Sequence, residues 1–281
     1  MQGFWGSGKI EDIYQGGRGT HPLCQAEQKQ PRVFDEHTPA WIKSLVCLKN
    51  CDMTIVEIFG VVRFHRTTKG RSHFLLKQQD DDMKKELPHF NVGTAYGGAQ
   101  DWCHTHWMKI GGCAAITACD CSLYFELYKG KTGLCPYAQD NISKEDYVDF
   151  AYVMEPYLRP RWTGIDRLDI YTDGFTSFLR DHQVTDIILS PWDGGSNLKD
   201  TIGIVRQQID KGWPIPCLTL KHDNPAMDDY VWHWYILNGY EEFEDTLMVK
   251  AVSYGYWRWL DLKMIWTTGH DRKGGLILFS D

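Results

Sequence analysis

The stretch Trp107-Met-Lys-Ile-Gly-Gly-Cys113-Ala-Ala-Ile-Thr-Ala-Cys-Asp-Cys-Ser-Leu-Tyr-Phe-Glu-Leu-Tyr128 constrains this chain more than any other. Two glycines lead directly into a cysteine, and an apolar helical pattern begins at once. Ile116, Asp120, Leu123, Tyr124 and Leu127 recur near the helical period. Cys113 is thereby placed in the first turn of a helix, where unpaired backbone N–H groups and the helix dipole favour a thiolate. Gly111 and Gly112 allow a sharp turn and leave the sulfur uncrowded. The expectation is a nucleophilic cysteine. The plain alternative is a tight turn followed by a small packed hydrophobe.

A chain of 281 residues forms one large domain or two smaller ones. Its 43% hydrophobic and 24% charged residues fit a globular protein with a sizeable core. The 12 tryptophans can line a cleft, although packing is their commoner use. With a net charge of −7 and no long basic run, nucleic acid is not expected as a partner. No basic segment followed by an apolar run stands at the N-terminus, and no stretch is long enough to span a membrane. The expected location is cytoplasmic, with no membrane partner.

Nine cysteines, an odd number, are expected to be mostly reduced thiols. Cys47 and Cys51 lie close in sequence, and Cys103, Cys113, Cys119 and Cys121 cluster near His104 and His106. The cluster invites a zinc reading, but it lacks the two close ligand pairs of a structural zinc site. Cys119 and Cys121 would also point to different sides of the helix. No metal is expected, and no sharing of one by Cys103, Cys119 or Cys121 with His104 or His106.

Residues 1 to about 40 are rich in Gly, Gln and Pro and read as an irregular lead-in. Met53 to Phe64 favours strand by its β-branched and aromatic content, with helix open for part of it. The charged run Gln78 to Glu86, ending before Pro88, reads as a solvated linker, an exposed helix or a surface segment. It sets a boundary between an N-terminal extension, 1–88, and a second domain, 89–281.

Ser143-Lys-Glu-Asp146 resembles a capping box, with a helix following to about Tyr157. A short helix at Asp173–Arg180, a strand at Asp186–Ser190 and a turn at Pro191–Gly195 come next. Ser196 or Asn197 caps a helix marked by Leu198, Ile202, Val205 and Ile209, which Gly212 ends. Strands are expected at Pro214–Leu220, Tyr230–Asn238, Thr246–Tyr254 and Gly275–Phe279, with a short helix at Leu260–Trp266. Helices first and adjacent strands later make the fold class α+β.

The strand Val231-Trp-His-Trp-Tyr-Ile-Leu-Asn-Gly239 carries His233. A histidine flanked by tryptophans in a hydrophobic strand needs a hydrogen-bond partner, and a thiol on a facing helix would serve. Taken alone, a strand histidine is more often structural.

These pieces in order resemble the papain-like cysteine peptidases: Gly-Gly-Cys113 opening a helix, then His233-Trp-Tyr-Ile-Leu-Asn-Gly-Tyr, then Val252-Ser-Tyr-Gly255. More narrowly they are similar to the bacterial branch that includes the double-glycine-leader (bacteriocin-processing) peptidases. Lys211-Gly-Trp-Pro-Ile-Pro-Cys217, a helix end running into a strand, also resembles that pattern. The resemblance covers roughly residues 95 to 281 and not the first third. It implies a central helix carrying the cysteine, packed on a C-terminal antiparallel sheet carrying the histidine.

The activity it implies is hydrolysis of a peptide or other amide bond through a Cys113 thioester, with His233 as base and no cofactor. The same pair would also serve an acyltransferase. A degenerate member would bind a peptide or partner without turnover. The family's oxyanion-hole Gln precedes its cysteine, but Trp107 stands six residues before Cys113. Gln100 and His106 are the candidates, with the Cys113 N–H as the other donor. The family orients its histidine with Asn or Asp, and Val252 stands at that place. Ser253, or an acidic residue of the Glu241–Asp245 turn, is the candidate third group.

Overall fold

The computed structural model of the chain describes residues 83–138, 141–244 and 246–281, together with the backbone of two earlier strands. The lead-in, Cys47, Cys51, the start of the charged run and Asp245 lie outside the described residues. Contacts divide the chain into two units, Met1–Lys69 and Gly70–Asp281. In the first, β1 (Thr54–Ile58) and β2 (Val61–His65) pair antiparallel, with Thr54 opposite His65 and Ile58 opposite Val61. The single strand expected at Met53–Phe64 is thus two, folded back on each other.

The second unit is α+β and is built on a seven-stranded antiparallel sheet. Its strands are β3 (Lys84–Glu86), β6 (Ile188–Asp193), β7 (Ile215–Thr219), β8 (His233–Phe243), β9 (Thr246–Ser253), β10 (Tyr256–Asp261) and β11 (Gly274–Ser280). They run in the order β10-β9-β8-β7-β11-β6, and β3 adds to β8. A two-residue pair, β4 (Asn91–Val92) with β5 (Ala95–Tyr96), stands apart. The helices are α1 (His106–Gly111), α2 (Cys113–Tyr128), α3 (Lys144–Met154), α4 (Leu168–Asp181), α5 (Leu198–Asp210) and α6 (Leu262–Trp266).

Cap chemistry explains several boundaries. Ser143 Oγ accepts the Asp146 N–H at 3.0 Å and starts α3. Asn197 Oδ1 accepts the Asp200 N–H at 2.9 Å and starts α5. Gly212, with φ +77°, follows α5 in the left-handed conformation that glycine adopts without strain.

Every residue of α2 from Cys113 to Phe125 is buried. A helix buried on every face belongs in the middle of a domain. It packs on β8 and against α1 and α3. Beneath it the core is aromatic: Phe125 meets Trp213 and Phe279 edge-on, and Tyr171 stacks on Trp234 with centroids 4.3 Å apart. Burying each such ring contributes roughly 1.5–3 kcal/mol, so this cluster fixes where α2 lies over the sheet.

Two expectations are corrected. Lys84–Glu86 is neither linker nor helix but a strand, antiparallel to Gly239–Glu241 of β8. Its charges serve the sheet: Lys84 Nζ lies 3.2 Å from Glu241, and Glu86 lies 2.7 Å from the buried Lys250. Cross-strand ion pairs look the same in sequence as a solvated charge run. Pro191–Asp193 is not a turn but the end of β6, with Pro191 opposite Ile277. β6 is an edge strand, where proline's missing N–H leaves no ladder bond unmade. β10, which the sequence reading passed over, pairs with β9 from Tyr256 opposite Ser253 to Asp261 opposite Met248.

Candidate active site

The approach to Cys113 is a helix–helix corner of a single residue. Gly112 ends α1 and caps α2, with φ −82° and ψ 0°. That conformation is open to any residue. The need for glycine is space, because a Cβ there would collide with the Met108 carbonyl. Gly111 is approached by the Arg161 carbonyl, 3.1 Å from where its Cβ would stand. Two glycines therefore let α1 and the 160–164 loop close on the corner, and Cys113 becomes the first residue of α2.

His233 is the first residue of β8. Trp232 before it has φ +55°, and its N–H donates to the Leu220 carbonyl at 2.9 Å. This left-handed step, unusual for a bulky residue, carries the chain from the Pro225–Tyr230 turn into the strand. Trp232 is half-exposed while Trp234 is buried.

β9 and β10 are joined by Tyr254 (φ +53°) and Gly255 (φ +78°), two left-handed residues that suit a tight hairpin. The ladder pairs Leu237 with Ala251 and Ile236 with Val252, and one further step sets Ser253 opposite Tyr235. Tyr235 shares its face with His233. Ser253 Oγ lies 2.6 Å from His233 Nε2, and the Tyr254 ring stacks on the imidazole at 4.6 Å and 5°.

One narrow pocket is lined by Cys113, His233, Ser253 and Gln100, with Asp120 and Tyr254. Its space is about 10 Å³, room for one water at most. Cys113 and His233 are 4% and 5% exposed. Burial pushes the Cys113 thiol up to about 11, against hydrogen bonds from the backbone N–H groups of Trp234, Ala114 and Cys113 itself. Burial also pushes His233 down to about 4. At neutral pH the pair is therefore thiol and neutral imidazole. The thiolate expected from the helix start is not the resting form, because desolvation outweighs the N–H groups. The bond between His233 Nε2 and the Ser253 hydroxyl can run in either direction, according to which ring nitrogen carries the proton.

Gln100 begins a 3-10 turn, Gln100–Trp102, and is 8% exposed. Its Nε2 donates to the Lys109 carbonyl at 2.8 Å, while Oε1 is buried without a partner. A side-chain amide has two N–H groups, so one beyond the Lys109 bond remains. His106 is placed elsewhere: it opens α1, is exposed and meets the edge of Trp107, and it does not line the pocket. Glu244 is exposed and also does not line it.

Asp120 is the pocket residue that sequence reasoning did not single out. Its signal was an acid inside an otherwise apolar helical stripe. It is 4% exposed, accepts from Tyr147 Oη at 2.6 Å and from the Gly98 N–H at 3.1 Å, and burial raises it to about 7. Among the described residues no three His, Cys, Asp or Glu side chains are grouped to hold a metal ion. Also among them, no helix is long and apolar enough to cross a membrane. The described cysteines, Cys113 included, are free and buried. No protein-family model, curated protein or solved structure matches this chain.

Proposed function

We propose that the chain is a papain-like cysteine hydrolase that cleaves a peptide or other amide bond through a Cys113 thioester. The observation that carries this reading is the convergence of Cys113, at the start of a buried helix, and His233, at the start of a strand, on one pocket where Ser253 holds the imidazole. A neutral pair sets the order of events. The thiol attacks the carbonyl carbon while its proton passes to His233 Nδ1. The carbonyl π electrons move to oxygen, which takes hydrogen bonds from the Cys113 N–H and a Gln100 N–H. The C–N bond then breaks as the imidazolium returns its proton to the leaving amine. Water, deprotonated by the same imidazole, cleaves the thioester. Ser253 holds the orientation of the ring through its bond to Nε2, part of what a third member does in such a constellation.

A second reading, a partner-binding protein without turnover, is favoured by one observation, the roughly 10 Å³ pocket, too small for a carbonyl group without movement of its walls. One experiment decides between them. Purified protein is incubated with a defined peptide mixture, and new amino termini are counted for wild type, Cys113→Ala and His233→Ala. Turnover in wild type that both variants lose supports the hydrolase. Equal counts in all three overturn it. Capture of an added amine in place of water identifies an acyltransferase with the same pair.

A further inference from the structure

We propose that Asp120 is a positioning residue of this site: its carboxylate clamps Gly98, and so holds the Gln100 amide in register with the Cys113 thiol. The proposal rests on the hydrolase reading above and deepens it. Asp120 lies on α2 itself, two turns beyond Cys113, with its side chain in the wall of the same pocket. Its partner, the Gly98 N–H at 3.1 Å, is two residues before Gln100. The same glycine is held from its other side, where its carbonyl accepts the Gly255 N–H at 3.0 Å. Next to it, the Tyr96 N–H donates to the Gly255 carbonyl at 2.7 Å. Gly255 belongs to the turn that presents Ser253 and Tyr254 to His233. One short backbone segment thus bridges the helix with the nucleophile and the hairpin with the orienting hydroxyl, and Asp120 is its anchor on the helix side.

The packing leaves this segment little freedom. A Cβ at Gly98 would collide with the Tyr147 hydroxyl. A Cβ at Gly97 would stand 2.9 Å from His89 Nε2 and 3.0 Å from Asp120 Oδ2. The segment is pressed directly against the acid and its tyrosine. Tyr147 Oη lies 2.6 Å from Asp120 and 3.1 Å from the Ile116 carbonyl, so the carboxylate is itself held to the helix. A buried polar acid in the middle of a helix is costly unless it is used. Here it meets the N–H two residues before Gln100, in the segment that leads into the 3-10 turn.

The test separates the oxyanion donor from the nucleophile. N-acetylglycinal is a small aldehyde to which a thiol adds reversibly. The S–C bond forms, the C=O π bond opens to an oxyanion, and the thiol proton is held by His233 as imidazolium. Its affinity for the protein, read by NMR of the labelled carbonyl carbon, depends on the oxyanion donors. Alkylation of Cys113 by iodoacetamide creates no oxyanion and reports the thiol–imidazole pair alone. Asp120→Ala is expected to weaken aldehyde binding at least tenfold while leaving the alkylation rate within about twofold. Asp120→Asn keeps an acceptor for Gly98 and is expected to retain affinity within about threefold. Tyr147→Phe, which frees the carboxylate from its second anchor, is expected to weaken aldehyde binding with alkylation unchanged, and stands in if Asp120→Ala does not fold. Wild-type aldehyde affinity in folded Asp120→Ala, or in Tyr147→Phe if the former is unfolded, overturns the proposal and leaves the hydrolase reading standing. If wild type forms no hemithioacetal that Cys113→Ala loses, the hydrolase reading fails and this proposal with it.

Discussion

His233 Nε2 and Ser253 Oγ stand 2.6 Å apart, joining the first residue of one strand to the last residue of the next. The bond engages Nε2 of the ring, and it is made by a hydroxyl where the resembling family places an amide or carboxylate. A hydroxyl can hold the ring's orientation but, able to donate or accept, it neither fixes the tautomer nor gives the imidazolium much charge stabilisation. Ser253→Ala is therefore expected to lower kcat/KM for an amide substrate about tenfold, worth ~1.4 kcal/mol in the transition state. Cys113→Ala should abolish turnover. Steady-state kinetics on folded variants check this. Unchanged kinetics in Ser253→Ala would show the bond to be structural only.

The neutral thiol–imidazole pair makes a separate prediction about reactivity. With the thiol pushed up to about 11 and the histidine down to about 4, little thiolate exists at pH 7.5. On the proposed reading, alkylation of Cys113 there runs through His233 as base, and such assistance is worth roughly 10²–10⁴ in rate. His233→Ala should slow iodoacetamide labelling of Cys113 by about a hundredfold at pH 7.5, with the gap narrowing as pH approaches the thiol's own pKa. Peptide mapping of the labelled site gives the rates. Equal rates in the two proteins would mean that the pair does not communicate.

How much of this was legible in the sequence differs residue by residue. Cys113 was visible because glycine pairs and helical period both act locally, and His233 because a polar ring in an aromatic strand demands a partner. The placement of Ser253 depended on strand register, which the sequence left open between the serine and the acidic turn; the β8–β9 ladder decides the facing. Asp120 was hidden by its own context, since its spacing counts it into the helical stripe with Ile116 and Leu123 and nothing local marks its carboxyl until Gly98 and Tyr147 are seen to meet it. The strand at Lys84–Glu86 was hidden for the opposite reason, because its charges find Glu241 and Lys250 only after folding. The α+β class followed from the order of elements, whereas the two-strand break at Thr54–His65 and the edge position of Pro191 depended on pairings that periodicity does not encode.

Two buried groups of the pocket act on stability in opposite senses as pH changes. His233 is depressed from 6.5 to about 4, so the folded state binds fewer protons than the unfolded chain between those values. Its contribution, about 3 kcal/mol, is present above pH 6.5 and is lost as pH falls through 4. Asp120 is raised from 3.8 to about 7, so its contribution, about 4 kcal/mol, is present below pH 3.8 and is lost as pH rises through 7. Acidification from pH 7 to 4.5 should therefore destabilise Asp120→Asn relative to wild type and stabilise His233→Gln relative to wild type. Urea unfolding at several pH values measures both differences. The same slope in all three proteins would show that neither group is held as its burial implies.

Two glycines of the same chain should respond oppositely to a single methyl group. Gly203 lies exposed within α5, and a Cβ there meets nothing within 4 Å. Gly203→Ala should stabilise the fold by about 0.5–1 kcal/mol, the helix-propensity difference between the two residues. At Gly98 the added methyl would run into the Tyr147 hydroxyl and ring. Tyr147 is fully buried, with its hydroxyl tied to Asp120 and to the Ile116 carbonyl, so it has nowhere to retreat. Overpacking of this kind costs about 1–3 kcal/mol. Relief would come from moving the 97–100 segment away from α2, which breaks the Gly98–Asp120 bond and carries Gln100 with it. Gly98→Ala should therefore lower the unfolding midpoint and also weaken N-acetylglycinal binding beyond what the stability loss explains. Thermal unfolding and aldehyde titration of both variants read the two effects. A Gly98→Ala protein as stable as wild type would mean that the segment does not press on Tyr147.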